Sequence, residues 1–176
     1  MKVYNITLGD GRTTEELMAG ANYGYCHSQV LSDNFPARPF NGKTPRQIVL
    51  LTFVRPISSE EATAEAAKQG LERPYYEDGL YSGVEYPEVQ LQAPVAFLHD
   101  PWLGNHGRRD AIRLWNNKGR RELGLEGSTT FVRPITGWHS SVPRRNWPDR
   151  RRTAVVESAE LSGRLLDAKI GHAYNS

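Results

Sequence analysis

The sequence predicts an α+β fold: a single globular domain over residues 1–158, with a mixed β-sheet of about five strands carrying two or three helices. Three observations lead there. Residues 47–54 (QIVLLTFV) form the continuous β-branched and aromatic run of a strand buried on both faces. A capped helix follows that run directly. Shorter apolar runs recur along the chain between Gly- and Pro-bearing segments.

Lys2 to Leu8 alternates Tyr4, Ile6 and Leu8 with Val3, Asn5 and Thr7, so it reads as a strand, and Gly9-Asp10-Gly11 ends it as a turn. Thr13 stands three residues before Glu16, the spacing of a capping box. A short helix is expected there, weakened by Gly20 and Gly24. Residues 33–46 hold three prolines and no period and read as a loop. The buried strand is expected over Gln47–Val54, stopped by Pro56.

Ser58 and Glu61 form the second capping box, and acids fill the first turn of the helix Ser59–Gln69, where its dipole favours them. Ala62, Ala66 and Ala67 give it a thin apolar face. Gly70 is placed to end it in the left-handed conformation, with Leu71 folding back on the last turn. Residues 72–92 alternate tyrosines with acids around Pro74, Gly79, Gly83 and Pro87, a pattern that argues against regular structure. A short strand is read over Pro94–Leu98, a loop over His99–Gly107, a brief helix or strand over Arg109–Trp115, and a turn over Leu123–Gly127. Further strands are read over Thr129–Ile135 and Thr153–Glu157. Residues 159–176 read as a C-terminal helix with Leu161, Leu165, Leu166 and Ile170 inward, then a frayed tail. The core is expected to contain Ile6, Val49, Leu51, Phe53, Val95, Phe97, Phe131 and Val155.

Thr52-Phe-Val-Arg-Pro-Ile57 recurs verbatim as Thr130-Phe-Val-Arg-Pro-Ile135. The flanks differ, so this is not a repeat architecture. It reads as two strands that each end in Arg-Pro, where proline removes a ladder donor, with Arg55 and Arg133 at one sheet end if the strands are neighbours.

The charge is lopsided. Of the 176 residues, 1–88 carry a net −4 and 89–176 a net +6, and arginine supplies 17 of the 22 basic residues. Arginine's planar fork suits phosphate, carboxylate and interface contacts. Arg108, Arg109, Arg113, Arg120 and Arg121 surround Trp115. Arg133, Arg144, Arg145, Arg150, Arg151 and Arg152 surround Trp138 and Trp147. This Arg/Trp region, residues 108–152, is the strongest functional signal. It reads as the surface of a non-enzymatic binding protein that contacts a protein partner or a second copy of itself. Single-stranded nucleic acid is the alternative, because arginines neutralise phosphates and tryptophans stack on bases.

A second alternative, a metal-dependent hydrolase, rests on His99, Asp100 and His106, whose imidazoles and carboxylate suit zinc, iron or manganese. Only those two or three ligands are close in sequence, fewer than a zinc site takes. Cys26-His27 are adjacent and so point in different directions, which disfavours a thiol–imidazole pair. Phosphate-loop, dinucleotide-loop and nucleophile-elbow patterns are missing, so no cofactor and no catalytic residue is expected. The lone cysteine, the lack of an N-terminal apolar run and the shortness of every apolar stretch favour a cytoplasmic protein without a membrane contact.

Overall fold

Lys2–Leu8 forms strand β1, and Thr13 caps helix α1 (Thr14–Ala21) through a complete capping box with Glu16. This computed structural model describes residues 2–55, 57–104, 107–127 and 152–157, the last segment by its backbone and the side chain of Val155. The order continues with β2 (Tyr25–Cys26), β3 (Thr44–Leu51), α2 (Ser59–Lys68), α3 (Tyr76–Glu85), α4 (Val89–Gln92), β4 (Val95–Ala96), β5 (Trp102–Leu103), β6 (Arg109–Asn117), β7 (Arg120–Gly127) and β8 (Arg152–Glu157). Five strands have six residues or more, and three are two-residue pieces. The fold is α+β with a mixed sheet.

The strands lie in the order β1-β3-β8-β4-β6-β7-β2, with β5 added to β6. β3 runs parallel to β8, and β2 to β7; the other described pairs are antiparallel. Alternation along β3 sorts its side chains between two layers. Ile48 and Leu50 face α1 and α3, in a core shared with Ile6, Leu17, Leu80, Val95, Phe97, Ile112, Leu114, Leu123 and Val155. Val49 and Leu51 face Ala66 and Leu71 at the end of α2. The strand is buried on both faces, as its unbroken apolar run implies. Of the expected core, Phe53 is partly buried against the α2 side, and Phe131 lies outside the described residues.

Helix α2 ends as its sequence implies. Gly70 takes φ +71°, the Gly70 N–H donates to Ala67 O, and the Leu71 N–H donates to Ala66 O. These two bonds are the Schellman pairing, and Leu71 packs on Ala66.

The segment 72–92 departs from its reading. It contains α3 and α4, and Pro74 and Pro87 bracket α3 instead of breaking it. Its glycines serve close approach. A Cβ on Gly79 would stand 3.0 Å from Ile112 and 3.1 Å from Phe97, and one on Gly83 would stand 1.7 Å from the Tyr23 oxygen. The helix lies that close to the sheet only without those side chains. The predicted turn at Leu123–Gly127 is likewise strand, part of β7. The turn sits earlier, at Lys118-Gly119, where both residues have positive φ (51° and 87°), as a two-residue hairpin requires. Arg109–Trp115 is strand, and the loop 99–107 contains β5. The buried strand starts at Thr44 and ends at Leu51, so the 33–46 loop is shorter than read. The first TFVRPI copy therefore starts beyond β3 rather than forming its end, and Arg55 there pairs with Glu61 of α2. The second copy and residues 158–176 lie outside the described residues.

One ion pair ties the sheet to α3. Arg46, on the α3 side of β3, is 1% exposed, and Asp78 in the first turn of α3 is 0% exposed. Arg46 Nε and Nη2 reach the two carboxylate oxygens at 3.1 and 2.9 Å. The Tyr75 N–H adds a third bond to Asp78 at 2.8 Å, and the Tyr75 ring lies 4.5 Å from the guanidinium. Glu72 reaches the outer end of Arg46 at 3.4 Å.

At the sheet's end, Tyr86 follows α3 and turns its hydroxyl onto β1. It donates to Asn5 O at 2.6 Å and accepts from Asn5 N at 3.2 Å.

Arg46→Met leaves Asp78 buried without its cation and is expected to cost about 3–5 kcal/mol in urea unfolding. Arg46→Met with Asp78→Leu removes both charges and is expected to recover much of that loss. Gly83→Ala forces Tyr23 aside and is expected to cost about 1–3 kcal/mol in the same assay.

Candidate functional site

Strand alternation divides the basic residues of β6 and β7 between the two faces. Leu103, Arg109, Arg113 and Trp115 share the outer face with Arg120, Glu122, Gly124 and Glu126 of β7, across the register Leu103↔Arg109, Arg113↔Gly124 and Trp115↔Glu122. Arg121 falls on the inner face. There its guanidinium donates at 2.5 Å to Ala21 O, at the end of α1, and at 2.5 Å to Gly83 O in α3. It also lies 4.9 Å from the Tyr23 ring. Arg121 is a clasp between sheet and helices and is not part of a docking surface.

The outer-face arginines carry their own carboxylates. Arg113 pairs with Glu126 at 2.6 Å and stacks 5.0 Å from the Trp115 ring, which spreads beside Gly124. Arg120 donates twice to Glu122, at 2.6 and 2.9 Å, and Asn117 adds a third donor at 3.0 Å. Arg108 pairs with Asp110 at 2.7 Å. Leu103 is 62% exposed at the end of the stripe, beside exposed Arg109. Arg133, Trp138, Arg144, Arg145, Trp147, Arg150 and Arg151, and the side chain of Arg152, lie outside what the structure describes.

His99 is built into the core. Its Nε2 accepts from the Ile112 N–H at 2.9 Å, and its Nδ1 lies 2.7 Å from Asp100 O. Those partners fix the tautomer with the proton on Nδ1. Phe35 and Tyr76 meet the ring edge-on at about 6 Å between centroids. Neither nitrogen is left for a metal, and the Asp100 carboxylate goes to Arg73 at 2.6 Å. Among the described residues, no group of three or more His, Cys, Asp or Glu side chains is arranged to hold a metal ion. His106 lies outside them. Cys26 is half-buried in β2, and burial pushes its thiol up, away from the reactive thiolate.

A cleft absent from the sequence reading opens at the end of β1. The 9–12 loop, the 37–40 segment and α3 enclose about 300 Å³ including its mouth. Gly9 (φ +82°) lets the loop close on the neighbouring segment, since a Cβ there would stand 2.5 Å from Gly42 O and 2.7 Å from the Phe40 Cβ. Glu77 is the buried wall, 3% exposed. Its Oε1 accepts from the Arg38 backbone N–H at 3.1 Å and faces Arg38 Nε at 3.5 Å. Its Oε2 has no hydrogen-bond partner. Burial pushes the carboxyl up, and Arg38 opposes the shift. The Arg38 guanidinium lies 4.0 Å from the Tyr75 ring centroid and 5.3 Å from that of Tyr76. Desolvation, more than the nearby Glu77 charge, raises the Tyr76 phenol to about 12. On the other side Arg12 binds Asp10 at 2.7 Å, and the Tyr81 hydroxyl donates to Asp10 at 2.5 Å. The Arg12 bond, then Tyr81, holds Asp10 down at about 2 despite some burial. The legible signal was the pair of prolines around 75–86, with Glu77, Tyr81 and Val84 at helical spacing between them.

The chain matches no known family model, no curated protein and no solved structure. The geometry alone carries its functional reading. No helix among the described residues is long and apolar enough to cross a membrane.

Burial lowers the His99 pKa from 6.5 to about 4, because the imidazolium would lose its water. The unfolded chain therefore binds the extra proton first. The stability from keeping His99 neutral is full above pH 6.5 and is lost as pH falls toward 4, by about 3 kcal/mol for this group alone. Proton NMR of the ring should show no titration above pH 5, and urea midpoints should fall over that window.

Proposed function

We propose that the chain is a non-enzymatic binding protein that contacts a protein partner through the outer face of β5, β6 and β7. One observation carries the choice of partner: the described arginines of this face come with carboxylates beside them. A polyanion approaching Arg113, Arg120 or Arg108 meets Glu126, Glu122 and Asp110 at the same spots. Phosphate binding draws on unopposed positive charge, and this ladder offers little. A protein surface of mixed charge suits it better, with Leu103 as the apolar contact and Arg109 and Trp115 as the residue types that dominate interface energetics. Nucleic acid stays as the second reading, because the remaining arginines of 133–151 are not part of the described face.

The test has two arms. Fluorescence anisotropy with mixed-sequence single-stranded DNA and RNA, at about 50 and about 200 mM salt, is expected to show no steeply salt-dependent binding. Pull-down with the wild-type chain is expected to retain a protein that Leu103→Asp with Arg109→Glu loses by roughly tenfold or more, with unchanged circular dichroism. Steep salt-dependent binding transfers the function to nucleic acid. Equal retention by both forms removes the face from the proposal.

A further inference from the structure

We propose that the cleft at the end of β1 is a binding site for a compact zwitterion, a molecule carrying an ammonium and a carboxylate a few bonds apart. The site lies apart from the outer face of β6 and β7, and the argument does not depend on that face.

The first step is the unmet valence of Glu77. A buried carboxylate oxygen without a donor is costly, and native folds rarely leave one. The next residue shows the contrast: Asp78, equally buried, receives two bonds from Arg46 and one from the Tyr75 N–H. Glu77 receives donors on Oε1 only, and Oε2 stands in a cleft wall. The cleft therefore asks for an N–H or O–H donor at that wall.

The second step is the rest of the lining. Arg12 and Arg38 also line the cleft, and their side chains are 34% and 39% exposed, so both reach solvent. Each guanidinium is held over a tyrosine ring and against a carboxylate, which fixes its position. The cleft thus combines a negative wall with positive groups nearer its mouth. A simple cation passes two guanidiniums to reach Glu77, and a simple anion that binds the guanidiniums brings its charge to the carboxylate. A molecule with both charges meets a complementary group at each end. The volume, at the low end for ligand sites, sets the size at a few heavy atoms. Phe40 and Leu17 supply apolar wall for the linker between the charges.

The third step is access. Gly11, at φ +87°, has open space where a Cβ would project. A side chain there would be strained by that φ and would stand on the cleft's border.

The experiment uses the full chain and five probes: glycine, β-alanine, γ-aminobutyrate, methylamine and acetate. The expected result is that at least one aminocarboxylate at millimolar concentration raises the melting temperature by about 2–5 °C. Methylamine and acetate, alone or mixed, are expected to leave it unchanged. Backbone amide shifts should cluster in residues 9–12, 37–40 and α3. Glu77→Gln, which keeps the shape and removes the charge, should weaken binding at least tenfold. Arg12→Gln, on a partly exposed side chain, should do the same and keeps the test decisive if the Glu77 variant fails to fold. The proposal is overturned if no aminocarboxylate binds, which leaves a water-filled cleft only. It is overturned equally if methylamine or acetate binds as well as the zwitterions, or if amide shifts fall elsewhere. Undiminished binding by the folded variants has the same consequence.

Discussion

The pairing of Arg46 with Asp78 holds the architecture in register. Apolar packing alone fixes α3 against the sheet only loosely, because a layer of leucines and valines tolerates small slides. A buried guanidinium does not tolerate them. Displacing α3 along the sheet would strand two opposite charges away from water, at a cost of several kcal/mol for each. The same carboxylate takes the Tyr75 N–H, so the helix start is set by the contact that sets its position on the sheet. Everything downstream of that placement inherits it: the wall formed by Glu77, the carbonyl of Gly83 that receives Arg121, and the hydroxyl of Tyr86 at the edge of β1.

Much of this was legible in the sequence where local and tertiary preferences agree. β1, the two capping boxes, the Schellman end of α2 and the two-sided burial of β3 all follow from short-range rules, and the long-range contacts reinforce them. The failures fall where a residue serves a neighbour distant in sequence. Gly79 and Gly83 look like breakers, yet they are the price of close packing against Phe97, Ile112 and Tyr23. Glu77 and Asp78 look like solvent-facing acids because nothing nearby in the chain announces Arg38 and Arg46. Acids at such density normally mark exposure, and only the fold supplies the partners that bury them.

The arginines show a related limit. A run of basic residues in sequence looks like one surface, but strand alternation splits it. Arg121 turns inward to tie sheet to helices, while Arg113 and Arg120 turn outward and meet carboxylates across the hairpin. The charge asymmetry between the halves of the chain is real, yet within β6 and β7 it is largely neutralised locally. Composition measures the charge without saying where its opposite sits. The His-Asp pair teaches the same lesson. A motif suited to metal chemistry becomes, once folded, a core hydrogen bond to Ile112 and a surface ion pair with Arg73.

The Tyr86 hydroxyl on Asn5 has a consequence beyond packing. β1 is the outermost strand at its side of the sheet, and an outermost strand offers unpaired amide groups to any passing extended chain. One phenol that both donates to and accepts from Asn5 occupies a donor and an acceptor in the middle of that strand. A foreign strand arriving there would have to displace the ring from its edge-on contact with Tyr4, at 4.9 Å between centroids, before its own ladder could start. The tyrosine therefore works as a guard against templated growth. It makes runaway sheet extension at this border depend on loosening the C-terminal turn of α3.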